Sequence, residues 1–145
     1  MTDNTNPLNP VTIIQQGAVV SASNPLAFSQ SATPPAGVTS INNGATGSTG
    51  AVVATLAGTS GKTTYISGFN VYAAGGTAAV GPIAVAGITG GTQNFQMNSS
   101  AAGNTLNVVF SFPIPATATN TAITVTTTAD GTASVVNVNA WGFQV

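Results

Sequence analysis

The chain has 145 residues, 43% of them hydrophobic, with no Cys, no His and three charged side chains, Asp3, Lys62 and Asp130. An average soluble domain is about one-quarter charged, so a chain with 2% charged residues lacks the groups on which most catalytic, metal and nucleic-acid chemistry rests. Neutralising phosphates takes several Lys or Arg, and one Lys with no Arg argues against a nucleic-acid partner. Zinc, iron and copper sites draw on His, Cys or clustered carboxylates. A weak calcium site using Asp130 and carbonyl groups is the most that this supply permits. A hydrolytic triad needs a basic partner for its nucleophile, and a glycosidase needs two carboxyl groups across one bond. Asp3, in a polar tail, makes no such pair with Asp130. The expectation is a protein that is not an enzyme, with no catalytic residue, no cofactor and no metal.

From the first residue, Met1-Thr2-Asp3-Asn4-Thr5-Asn6 has neither a basic n-region nor an apolar h-region, so it reads as no secretory signal and points to synthesis in a cytoplasm. Residues 1–50 hold five of the eight prolines (Pro7, Pro10, Pro25, Pro34 and Pro35) and a Gly, Ser, Thr and Asn-rich run at 40–50. They read as an extended N-terminal arm, against the alternative of a disordered leader. Two apolar islands sit in the arm, Val11-Thr12-Ile13-Ile14 and Pro25-Leu26-Ala27-Phe28. Such islands can add a strand to a body or dock on another chain. The candidate anchors are Ile13, Ile14, Leu26 and Phe28.

Residues 51–145 read as the body. Val, Ile and Thr make up 47 of the 145 residues, while Glu and Arg are missing and Leu occurs four times, a β composition. The segment Gly58-Thr59-Ser60-Gly61-Lys62-Thr63 resembles a phosphate-binding loop at a glance, but the Walker spacing requires Gly where Leu56 stands. Thr63-Thr64-Tyr65-Ile66 continues as strand and not as the helix that would hold phosphates. The segment therefore reads as a polar turn with Lys62 in solvent. Strands are expected at about 51–57, 63–73, 78–88, 92–98, 105–112, 121–129 and 132–144, separated by Gly-rich turns. In these, Leu106, Val108, Phe110 and Phe112 alternate with polar or smaller residues, and Tyr65, Ser67, Phe69 and Val71 alternate with Ile66, Gly68, Asn70 and Tyr72. Asp130-Gly131 between two alternating runs predicts a hairpin, and Asn98-Ser99-Ser100, although it fits a glycosylation pattern, reads as a turn. The longest apolar stretch, 78–88, is broken by Gly81 and Pro82 and is too short for a membrane span of about 18 residues. No membrane partner is expected.

The expected fold class is all-β, an antiparallel β-sandwich, jelly-roll-like, with the extended arm at its N-terminus. An immunoglobulin domain is the rival, and its Cys signature has no counterpart in a chain without Cys. Sheet edges are normally guarded by Lys, Pro or bulges, and these strands have almost no charged guards. Either the protein aggregates or its edges and faces are covered in a symmetric oligomer or on a larger surface.

Four stretches point further: Ser60-Gly61-Lys62-Thr63-Thr64-Tyr65-Ile66-Ser67-Gly68-Phe69, Phe110-Ser111-Phe112-Pro113-Ile114-Pro115-Ala116, Asn120-Thr121-Ala122-Ile123-Thr124-Val125 and Asn139-Ala140-Trp141-Gly142-Phe143. Together they resemble small β-sandwich virion proteins of tailed bacteriophages, the capsid decoration or cement proteins. The resemblance covers about residues 51–145. It implies a homotrimer on the virion, at the capsid surface, made in the host cytoplasm and partnered by the major capsid protein. Tyr72 and Trp141 join the arm residues as candidate assembly contacts. The alternative is a binding module of a phage tail, fibre or cell surface that recognises a host glycan, with Trp141, Tyr65 and Tyr72 as a stacking platform. A Thr124, Thr126 and Thr128 row on one strand face reads as an ordinary outward β surface.

Overall fold

A chain so rich in Val, Ile and Thr has few ways to bury its apolar side chains other than pairing strands and closing two sheets over each other. The computed structural model of the protein describes residues 14–15, 18–19, 37–48, 50–75, 82–98, 102–128 and 135–145, the first two pairs by their backbone. The chain divides into two units, Met1–Thr33 and Pro34–Val145. In the first, β1 (Ile14–Gln15) pairs antiparallel with β2 (Ala18–Val19), Ile14 standing opposite Val19.

Among the described residues the second unit holds eight strands: β3 (Thr39–Gly47), β4 (Val53–Leu56), β5 (Thr64–Ala74), β6 (Ile83–Ala86), β7 (Gln93–Phe95), β8 (Asn104–Pro115), β9 (Ile123–Thr126) and β10 (Val135–Gln144). They form two antiparallel sheets, ordered β3-β10-β5-β8 and β4-β9-β6-β7. The pairs β3 with β10, β4 with β9, β5 with β8 and β6 with β7 are those of one long hairpin, first strand against last. Rolling that hairpin up adds the contacts β10 with β5 and β9 with β6, which makes the sandwich a jelly roll.

Three sequence expectations are corrected. The arm was drawn to residue 50, but Thr39–Gly47 is an edge strand of the first sheet, paired residue by residue with Val136 to Gln144 of β10. Its Gly and Asn content hides it; the strand is held by β10 and by Ile41 and Ala45, which pack against the core. The hairpin at Asp130-Gly131 fails because the runs on either side, β9 and β10, lie in different sheets; the dipeptide itself lies outside the described residues. Lys62 is half-buried, with its Nζ donating to Thr39 Oγ1 at 2.9 Å.

Between the sheets lie Leu56, Ile66, Phe69, Val71, Ile83 and Ile123, each essentially inaccessible to solvent, among a larger set of small apolar residues. Phe69 of β5 meets Phe95 of β7 edge-on, centroids 5.1 Å apart, and Phe110 of β8 at 6.3 Å, so one aromatic cluster ties the first sheet to the second. The buried polar side chains are satisfied. Gln144 Nε2 donates to the Ala57 carbonyl at 2.7 Å while its Oε1 accepts from Thr59 Oγ1 at 2.9 Å. Thr127 Oγ1 accepts from Val52 N at 3.2 Å. These bonds pin loops to strand ends.

Truncating Phe69 removes the ring on which both neighbouring rings lean. Phe69→Ala is expected to lower unfolding free energy by about 3–5 kcal/mol, read as a fall in the urea midpoint by tryptophan fluorescence.

Candidate functional site

The outer face of the first sheet is set by a change of phase in β5. Ile66 faces the core opposite Gly142 of β10, yet Gly68 stands opposite Trp141, so Ser67 is an extra residue in β5. Before it, Thr64 and Ile66 point inward; after it, Phe69, Val71 and Ala73 do. The simple alternation expected across 65–72 is therefore interrupted, and Tyr65 shares the outward side with Gly68, Asn70 and Tyr72. At Gly142 the strands approach so closely that a Cβ would collide with the Tyr65 carbonyl oxygen.

The registers assemble four cross-strand rows on this face, read from β3 through β10 and β5 to β8. The first is Ser40, Phe143, Tyr65, Pro115; the second Asn42, Trp141, Gly68, Val109; the third Gly44, Asn139, Asn70, Asn107; the fourth Thr46, Asn137, Tyr72, Thr105. Rows stand about 7 Å apart along the strands. Tyr65 and Phe143 stack with centroids 4.9 Å apart and planes inclined by 11°. The Trp141 indole lies across β5: a Cβ on Gly68 would come within 2.5 Å of Trp141 Cζ2. Asn139 likewise lies in the plane of the face, its Oδ1 over the bare Cα of Gly44 and its Nδ2 donating to Asn70 Oδ1 at 2.9 Å. Thr46 Oγ1 donates to Asn137 Oδ1 at 2.7 Å. Two glycines thus let an indole and an amide lie down, and the face becomes flat, aromatic at one end and amide-lined in the middle. None of its sixteen positions is an acid, Lys or Arg.

Of the residues singled out from sequence, Tyr65, Tyr72 and Trp141 do share this face. Tyr72 is 39% exposed, and Trp141 is half-buried in contact with Gly68. Ile14 lies in β1; Ile13, Leu26 and Phe28 are outside the described residues. Phe143 and the Asn70, Asn107 and Asn139 row were not singled out, although the alternation of Asn137, Asn139, Trp141 and Phe143 along one strand was their signal.

A second surface is the free edge of β8. Opposite the single extra Ser67 of β5, β8 inserts four residues, 110–113, between Val109 and Ile114. Phe110 stays against the core, but Phe112, expected to face inward with it, is 85% exposed, and Val109 is 66% exposed. Among the described residues no strand pairs with the far side of β8.

The loop resembling a phosphate site is closed to that role. The Gly61 amide, φ +74°, donates to Asn120 Oδ1 at 2.6 Å, the Lys62 amide donates to the Thr59 carbonyl at 3.0 Å, and β5 follows. The outer face of the second sheet sets Thr55, Thr124, Thr126, Ala84 and Ala86 half-buried side by side, with Val53 exposed beside Thr126.

Gly68→Ala places a methyl group against the indole and the Val108 carbonyl oxygen, which lies 2.6 Å from the Cβ position. It is expected to cost about 1–3 kcal/mol and to red-shift the emission of this single tryptophan as the ring lifts into water. Comparison of the chain with protein-family models, with curated proteins and with solved structures finds no match in any of the three.

Proposed function

We propose that the protein is a structural virion protein, a capsid decoration or cement protein that binds and stabilises a major capsid protein lattice as a homo-oligomer. The observation that carries this reading is the β8 edge, where Phe112 at 85% and Val109 at 66% exposure flank unpaired strand backbone. Along Asn104–Phe112 this edge carries neither a charged residue nor a proline, Pro113 and Pro115 standing beyond it, and this part is a template for pairing with another chain. A chain that presents it in solution needs a partner that covers it. Cyclic closure, a trimer in this reading, uses such contacts up in a finite body. The jelly roll is an architecture of viral capsid and lectin domains, and it supports a virion role without specifying one. Lys62 is the sole charged side chain among the described residues and is engaged with Thr39, so attachment rests on apolar burial and backbone hydrogen bonds.

The purified protein should scatter light as a trimer at micromolar concentration, and Phe112→Asn should shift it toward monomer while its circular dichroism is unchanged. Co-sedimentation with the parent particles should persist from low to molar salt, since there is almost no ion pairing to screen. A monomeric wild type, or release from particles by moderate salt, would overturn this reading.

A further inference from the structure

We infer that the outer face of the first sheet is a binding site for an uncharged, extended oligosaccharide, with Trp141 as the stacking platform and the Asn139, Asn70 and Asn107 row reading hydroxyl groups. This site adjoins the β8 edge at Val109 but does not rest on the assembly reading.

A tryptophan on an outward strand position ordinarily stands off the sheet, whereas here Gly68 removes the side chain beneath it and the ring lies across β5. With Cζ2 and Cε2 seated over Gly68, the half-buried indole is held against the strand and its accessible part is pre-set. The C–H face of a pyranose ring suits such a surface, and stacking on it costs little side-chain entropy because the ring is already in place. One row away the parallel Tyr65 and Phe143 pair, 4.9 Å apart, extends the apolar strip. Two rows on the other side Tyr72 adds a ring with a hydroxyl.

Hydrogen-bonding groups occupy the space between the rings. The 2.9 Å bond from Asn139 Nδ2 to Asn70 Oδ1 orients two adjacent amides and leaves Asn70 Nδ2 and the second N–H of Asn139 Nδ2 without a partner among the described residues. Asn107 and Asn42, both exposed, add amides that make no hydrogen bond to another described residue. Amides offer donors and acceptors side by side, the complement of a sugar hydroxyl, which is both.

Charge narrows the occupant. Aromatic faces also stack nucleobases, but a nucleic acid needs cationic groups along its phosphates, and this face has none. Acidic polysaccharides fail for the same reason. An apolar protein surface would leave the amides of the central asparagine row unpaired, at a cost of about 1–3 kcal/mol for each group. A neutral glycan satisfies the rings and the amides together.

The test titrates the full-length protein with neutral cello-, malto-, xylo-, manno- and N-acetylchito-oligosaccharides. Because the chain has one tryptophan, its emission reports on the site directly. Native gels cast with the matching polysaccharides give an independent readout. At least one series should change the emission saturably and retard migration. Trp141→Ala should then weaken binding in the gel by about tenfold or more, the equivalent of about 1.4 kcal/mol. Asn70→Ala, at a half-buried amide on the outer face, should weaken it severalfold with the thermal midpoint retained, which keeps the test sound if the tryptophan variant folds poorly. Phe112→Asn should bind as the wild type does, whatever its oligomeric state, so failure of the assembly reading and failure of this one are distinguishable. The inference is overturned if no series acts on the wild type, if Asn70→Ala and a folded Trp141→Ala both bind unchanged, or if the emission shifts with protein concentration alone, which would make the face a contact between copies.

Discussion

The extra residue at Ser67 is the constraint from which both candidate surfaces follow. It shifts β5 by one residue against β10, so that inward Thr64 and Ile66 give way to inward Phe69, Val71 and Ala73. A one-residue shift moves every following side chain to the other side of a sheet. Without it, either Phe69 leaves the aromatic cluster or Ile66 leaves the core. With it, Gly68 comes opposite Trp141, where any side chain would strike the indole. On the other flank the same position is met by four inserted residues in β8, and these carry Phe112 out of the sandwich. The flat face and the protruding edge are two consequences of one irregularity.

Charge poverty acts on a different level, on what can attach. Fold stability here rests on apolar burial and on satisfied backbone and amide groups, as at Gln144 and Thr127, and charge has little part in it. The surface, however, loses the usual means of keeping copies apart. Each outer surface must therefore be compatible with water, with a ligand or with another subunit through hydrogen bonding and shape. The second sheet meets this with short Thr and Ala side chains, and the first with asparagines interleaved among rings.

Most of the sandwich was legible in the sequence because strands with one buried face alternate: the segments around 53–56, 69–73, 104–109 and 135–140 carry that pattern. Thr39–Gly47 was not legible. Its nine residues include two glycines and two asparagines, poor strand formers in isolation, and its strand state is supplied by pairing with β10. The failure at Asp130-Gly131 has a related cause, since local turn chemistry does not tell whether the chain returns to the same sheet or crosses to the facing one. Phe112 was misread because alternation was extended through 110–113, where β8 no longer follows the register of β5. Local pattern reports burial only while a strand keeps step with its neighbour.

The candidate glycan face was half legible in the sequence. Trp141 and the tyrosines stand out by residue type, but whether they cooperate depends on register, and register in β5 changes at a residue whose side chain gives no warning. Glycine is the readable trace of that change. Gly68 and Gly142 sit on adjacent strands at the shift, the first making room for a ring and the second for a backbone. Gly44, on β3, does for Asn139 what Gly68 does for Trp141. A glycine within an otherwise good strand costs conformational entropy, and here each is repaid by a close approach that a Cβ would forbid. Val109 is the residue at which the two surfaces meet, the last member of the tryptophan row and the last paired residue before the β8 arch. On the proposed readings, the assembly edge and the ligand face are therefore neighbours that share Val109, and a substitution there would bear on both.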